Sequence, residues 1–264
     1  MTTPDVPLRM ELVFTVPGTP HQVWDAIATA GGITSWFLPT DLDKRVGGTV
    51  VTHMGEGASS EGTVEAWDPP RRLAYAEPDW AELTGHADAP VTPLATEFLV
   101  EAREGGTCVV RIVSSAFGTG ADWEGEFFES MEQTWTPFFE HLRLYLTHFP
   151  GQRATTLTVD AALPGPADDV WAAMGDAVGP MAVGAVTEVR GLTGRVERNE
   201  GRWLLVRLTD PFPGMLALLA HPLPDGGTLA QVATYLFAPV PRNTVDRERK
   251  DWKAWLESLA IHAI

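Results

Sequence analysis

The side chains that could move a proton or hold a metal in this 264-residue chain are seven histidines, one cysteine and a scatter of carboxylates. His53 lies in the strand-like run "GGTVVTHM", and His86 and Asp88 lie in the long segment "PDWAELTGHADAPVTP" (78–93). An imidazole enclosed by apolar side chains has a shifted pKa and can serve as an acid or a base. These three are therefore the candidates for proton transfer, although a hydrogen-bonded structural role is the plainer expectation for His53. His141 and His148 share a helix flank without the spacing of a metal-binding pair, and the chain has no HExxH or CxxC. Cys108 stands alone in a Val-rich strand and reads as a small core residue; Arg71 and Arg72 read as a surface strand boundary. With no GxSxG elbow, GxxxxGK or GxGxxG either, no catalytic set, metal or cofactor is expected.

The other notable pattern is aromatic. From Trp123, apolar residues recur at Phe127, Met131, Trp135, Phe138, Leu142, Tyr145 and Phe149, in steps of three and four. That spacing makes one stripe along a long helix, with Glu124, Glu129, Glu132, Glu140 and Arg143 away from it and a bend at Pro137. Large rigid rings supply contact area without filling every gap, and Met adapts to irregular shapes. Laid against one face of a sheet, such a helix either packs solid or leaves an elongated apolar space. The 78–93 loop is then a lid with Trp80 as gate or wall, or else an acidic surface loop.

The elements that would position these residues can be read along the chain. "LRMELVFTV" (8–16) alternates as a strand, Pro17-Gly18 breaks it, and Thr19 caps a helix whose first residue is Pro20. Val23, Trp24 and Ile27 share a face of that helix, and Gly31-Gly32 is expected to end it. Strands follow at 47–54, 61–69, 71–77, 95–104 and 106–117, a spacing that suits an antiparallel meander. After the aromatic helix and the short linker "GQRAT" the order begins again. A strand at 155–163 leads into a helix near Pro166 and strands at 183–190, 194–198, 202–209, 214–220 and 228–238, with turns at Asn199-Glu200-Gly201 and Asp225-Gly226-Gly227. The closing helix carries a stripe of Val245, Trp252, Trp255 or Leu256, Leu259 and Ala263. "VPGTPHQVWDAI" (16–27) recurs as "LPGPADDVWAAM" (163–174), so one domain type is written twice, over 1–150 and 154–264.

The segments "VWDAIATAGGITSWFLPTDLDKRVGGTV" and "EGTVEAWDPPRRLAYAE" resemble the START-like (SRPBCC) superfamily, in particular its heat-shock protein 90 ATPase activator homologue branch. The resemblance is carried by Val23-Trp24-Asp25-Ala26, Trp36-Phe37, Val46-Gly47-Gly48, the Asp68-Pro69-Pro70-Arg71-Arg72-Leu73 corner and the helix from Trp123. It implies an α+β fold of tandem helix-grip domains, each a curved antiparallel sheet wrapped around a long C-terminal helix. Over 155–264 the resemblance is faint, and the second copy is expected to be degenerate, with a reduced cavity. Between sheet and helix of the first domain, an apolar small molecule would be lined by Trp36, Phe37, His53, Trp67, Trp80 and Phe98 from the first part of the chain. Phe117, Trp123, Phe127, Met131, Trp135 and Phe138 would complete the lining. Binding without catalysis is the leading expectation, an enzyme of the polyketide aromatase/cyclase type the second, and a chaperone-interacting protein the third.

Composition narrows the partners. Apolar residues make up 44% of the chain and charged residues 20%, ordinary values for a globular protein. A formal net charge of −16, without clustered Lys and Arg, argues against nucleic acid and against an anionic membrane surface. The N-terminus lacks a basic segment followed by an apolar run, no stretch is long enough to span a bilayer, and a cytoplasmic protein is expected. The two domains are expected to pack on each other; the oligomeric state is open.

Overall fold

The computed structural model describes residues 4–55, 57–224 and 226–261. The chain divides into two compact units, Met1–Arg153 and Ala154–Ile264. Asp225 of the expected second-half turn and Ala263 of the closing stripe lie outside the described residues.

The first unit opens with β1 (Val6–Pro17), followed by helices α1 (Pro20–Ile27) and α2 (Ala30–Thr34). Strands β2 (Thr40–Leu42), β3 (Thr49–Gly55), β4 (Ala58–Asp68), β5 (Arg72–Glu77), β6 (Leu94–Arg103) and β7 (Thr107–Gly118) then form a meander, and α3 (Asp122–His148) closes the unit. The seven strands make one antiparallel sheet in the order β1-β7-β6-β5-β4-β3-β2. The second unit repeats the plan with β8 (Thr155–Leu163), α4 (Ala167–Val178), β9 (Val186–Val189), β10 (Leu192–Glu200), β11 (Trp203–Asp210), β12 (Gly214–Pro222), β13 (Thr228–Leu236) and α5 (Arg242–Ser258). Its sheet runs β8-β13-β12-β11-β10-β9. In each unit the first strand crosses to pair with the last, and the long closing helix packs on that first strand, α3 on β1 and α5 on β8. This is the α+β helix-grip arrangement, present twice. Among the described residues no helix is long and apolar enough to cross a membrane.

Local chemistry explains the entry to the first unit. Thr19 accepts a hydrogen bond from the Gln22 backbone N–H, and the Gln22 side chain accepts one from the Thr19 N–H, a reciprocal cap with Pro20 inside the first turn. Gly31-Gly32 does not end a helix as expected. It sits inside α2, which restarts at Thr29, whose hydroxyl accepts from the Gly32 N–H. The glycines are needed for proximity: a Cβ on Gly32 would lie 1.9 Å from the carbonyl oxygen of Asp25. That turn brings Trp36 back beneath α1, where its indole N–H donates to the Ala26 carbonyl at 3.0 Å.

Helix α3 is seated unevenly. From Phe139 onward it is buried through His141, Leu142, Leu144, Tyr145 and Leu146, with Phe14 of β1 stacked on Phe139 at 3.7 Å between ring centres. Its first half is not seated in this way: Trp123, Phe127, Met131, Trp135 and Phe138 of the expected stripe are only half-buried, and Phe128 is the buried ring there. The start of the helix is fastened by the buried Glu124. Its carboxylate accepts from the Thr119 and Gly120 backbone N–H groups and the Thr119 hydroxyl at 2.9–3.0 Å. Burial alone would raise the Glu124 pKa, but these bonds outweigh it and hold the carboxyl below its ordinary range. Gly118 makes room for that carboxylate, since a Cβ there would lie 2.2 Å from it.

Two outcomes follow from this packing. Gly32→Ala must push α1 from α2 and is expected to cost at least ~2 kcal/mol of stability, read as a lower urea midpoint with an unchanged slope. Burial lowers the His141 pKa from 6.5 to about 4, against the bond to the Trp36 carbonyl and the Glu140 charge, which raise it. Between those values the unfolded chain takes up a proton that the folded one refuses. Stability is therefore complete above pH 6.5 and falls as the pH drops towards 4, by about 1.4 kcal/mol per pH unit from this residue. His141→Asn should remove that component from the pH dependence of the urea midpoint.

Candidate functional site

The inner face of the first sheet is set by strand alternation and register. Leu73, Phe98 and Ile112 lie opposite one another across β5, β6 and β7, and the next inward row is Val64, Tyr75, Thr96, Ser114 and Met10. Against this face stand the turn after α2 and the middle of α3. The cleft between them is lined by Ile27, Ile33, Trp36, Phe37, Thr40, Leu42, Val50, Thr52, Leu73, Tyr75, Phe98 and Trp135. Trp36 is fully buried at its base, held by Ala26 as described and by His141, whose ring nitrogen meets the Trp36 carbonyl at 3.3 Å. Phe37 and Trp135 stack face to face, 5.0 Å apart and 6° from parallel, while Phe138 meets Phe37 edge-on at 4.5 Å and Phe98 meets Trp135 edge-on at 6.0 Å. These rings occupy most of the cleft. The free volume open to the centre of a water molecule is about 20 Å³, room for a single water.

The polar groups on that face were not anticipated from the sequence. Thr96 and Ser114 hydroxyls are 3.2 Å apart in the interior, and Tyr75 bonds to Thr96. Burial pushes the Tyr75 phenol far above its usual value, and the nearby Glu77 charge adds to the rise. Glu77, two residues along β5, is itself raised by burial, against a hydrogen bond from the Ser60 hydroxyl that lowers it. Gly62 on the neighbouring strand leaves space for it, since a Cβ there would come within 3.0 Å of the Glu77 side chain. The period-two run Leu73, Tyr75, Glu77 in "RLAYAE" carries the signal, because a single inward residue fixes the face of the others.

The expected lining residues divide into four groups. Trp36, Phe37, Phe98 and Trp135 line the cleft and Phe138 buttresses it. Trp80, Trp123 and Phe127 form a second aromatic group at the beginning of α3: the fully buried Trp80 lies 5.5 Å from Trp123 and 4.9 Å from Phe127, and His86 stacks on Trp123 at 4.1 Å. The Trp80 indole donates to the Thr92 carbonyl, so the 78–93 loop is folded onto the helix and Trp80 is a wall. Met131 lies on the half-buried stripe between the two groups. Trp67, Phe117 and His53 are elsewhere. Trp67 packs edge-on against Trp24 of α1 at 5.2 Å. Phe117 is 50% exposed because its position in β7 alternates outward. His53, expected among apolar residues, is exposed near the end of β3, 2.9 Å from Asp41.

The second unit corrects the expectation of a reduced cavity. The main cluster of its core is aliphatic as foreseen, with Trp252 the buried ring within it, but measured in the same way its space beneath α5 amounts to about 380 Å³. The shorter strand β9 and the turns at Arg190 and Phe212 leave that end of the sheet uncovered.

A family model described as Activator of Hsp90 ATPase homolog 1-like protein matches residues 17–147. No curated protein matches. Among solved structures, protein MLL2253 from Mesorhizobium loti is 18% identical with a TM-score of 0.47, over 54% of this chain and 98% of its own. The Aha1 dimer from Colwellia psychrerythraea is 17% identical with a TM-score of 0.42, over 53% and 96%. The di-domain ARO/CYC BexL from the BE-7585A biosynthetic pathway is 14% identical with a TM-score of 0.46, over 97% and 98%. The span that the family model matches runs from the end of β1 to the last turn of α3. Over that span the first unit is similar to the Activator of Hsp90 ATPase homolog 1-like proteins, and its helix-grip fold is that of the START-like proteins.

Proposed function

We propose that the first unit binds a flat, apolar small molecule carrying an oxygen substituent. The observation that carries this reading is the Phe37–Trp135 stack: two rings only half-buried, closing on each other over an inward row of hydroxyls. Rings packed for stability alone would be covered by sheet residues, as Phe139 is by Phe14. A planar guest that replaces one partner of the stack recovers its face-to-face contact, worth ~0.5–1.5 kcal/mol beyond buried area. Its oxygen then reaches towards Thr52 or Tyr75, two of the polar members of the lining. Since about one water fits in the closed cleft, binding moves Phe37 or Trp135 aside.

One observation favours a catalytic variant of the same reading, of the aromatase/cyclase type. Glu77 is shifted towards its protonated form beside Tyr75, and a neutral carboxylic acid donates a proton to a bound carbonyl at a pH where an ordinary glutamate does not. Turnover lost in Glu77→Gln with binding retained would separate catalysis from carriage.

The test is a titration of the full chain, labelled with ¹⁵N at tryptophan, with 2-naphthol and with naphthalene. The Trp135 indole signal, assigned from Trp135→Phe, is expected to move saturably with both. Phe37→Ala should weaken both by about tenfold. Tyr75→Phe should weaken 2-naphthol alone. A Trp135 signal unmoved by either compound overturns the reading.

A further inference from the structure

Beyond the first unit, and independently of it, we propose that the second unit holds a binding site of its own. It takes an apolar molecule bearing an uncharged oxygen acceptor, whose body fills the cavity beneath α5 and whose oxygen accepts from Arg190. At about 380 Å³ the cavity falls in the range of small-molecule pockets, ~300–1,000 Å³. All its lining comes from residues 155–252, with Leu157, Leu192, Leu236, Val245 and Trp252 as apolar wall and Phe212 at the rim.

Arg190 gives the site its selectivity. It occupies the turn between β9 and β10 at φ 51°, a left-handed conformation that residues other than Gly, Asn and Asp seldom adopt, and Gly191 follows at φ 78°. An arginine there carries a backbone cost that the placing of its side chain offsets. The guanidinium lies over the ring of the buried Trp252, 4.6 Å from its centre, and the arginine side chain as a whole is 24% exposed. Its neighbouring carboxylates, Glu248 at 3.9 Å and Asp251 at 3.7 Å, are beyond hydrogen-bond length, so they balance its charge without engaging its donors.

That balance decides the class of head group. The charged side chains that line the cavity or pair with its lining Arg190 are Arg190 and Arg247 against Glu248 and Asp251, two of each sign. An anionic head would add a third negative charge beside the two carboxylates, in a chain already at −16. A ketone or hydroxyl oxygen takes a guanidinium N–H and leaves the ion pairs in place.

The experiment titrates the full chain, labelled with ¹⁵N at tryptophan, with 2-nonanone and, at pH 7.5, with nonanoate, following the Trp252 indole signal assigned from Trp252→Phe. The ketone is expected to move it saturably, and nonanoate to bind several-fold more weakly. Arg190→Asn, whose side chain suits the left-handed turn, should weaken the ketone about tenfold. Leu236→Trp should abolish the shift by filling the cavity. If that variant does not fold, Arg190→Asn and the carboxylate comparison decide. A Trp252 signal unmoved by the ketone, equal affinity in Arg190→Asn, or tighter binding of nonanoate would each overturn the proposal. None of these readouts involves Trp135, so the two sites fail or stand separately.

Discussion

The seating of α3 is the constraint on which the first unit depends. A helix of 27 residues can bury its whole apolar stripe only if the sheet follows it along its length. Here the sheet grips the last third, where Phe14 stacks on Phe139 and Leu142, Leu144 and Tyr145 are enclosed. Along the earlier turns rings pack on one another, Trp80 tilted against Trp123 and Phe127, Phe37 stacked on Trp135. Trp36 connects these regions, because its indole is tied to α1 and its carbonyl to His141 in the gripped part of the helix. The cleft is thus a product of where the helix is tightly held and where it is not.

The two units show how one topology diverges in its interior. Both place a long helix against the first strand of an antiparallel meander, yet the first fills its concavity with rings and the second leaves it open. The difference lies in side-chain volume and in strand length at one end. With β9 reduced to four residues and no counterpart of the Trp36-Phe37 pair, the large rings at the space are Phe212 at its rim and Trp252 of α5, whose ring is covered by Arg190.

Much of this was legible in the sequence, and for physical reasons. The repeated phrase at 16–27 and 163–174 marked the duplication because a strand, a Pro-Gly break and a helix start all demand particular residues. Alternation marked the strands, and three-four spacing marked α3. Depth was not legible. Periodicity placed Trp123 to Phe138 on one side of a helix, but whether that side meets a sheet or a space depends on the partner strand, which is far away in sequence. His53 and Phe117 failed for the opposite reason: each is apolar or ambivalent in type, and only the pleat decides which way it points. Tyr75 and Glu77 were hidden in a strand whose apolar neighbours drew the eye, and their inward direction rests on the register of β5 with β6. The open second cavity was missed because small aliphatic residues read as a tight core, whereas a void is set by the distance between elements.

Glu124 gives the helix a property that composition does not suggest. Its carboxylate nails the first turn to the end of β7, and the Phe139–Phe149 stretch anchors the other end. A rod clamped at both tips cannot swing open like a door. Any widening of the cleft by the helix backbone has to be absorbed as a bow in the middle, where Pro137 already lacks one rung of the backbone ladder.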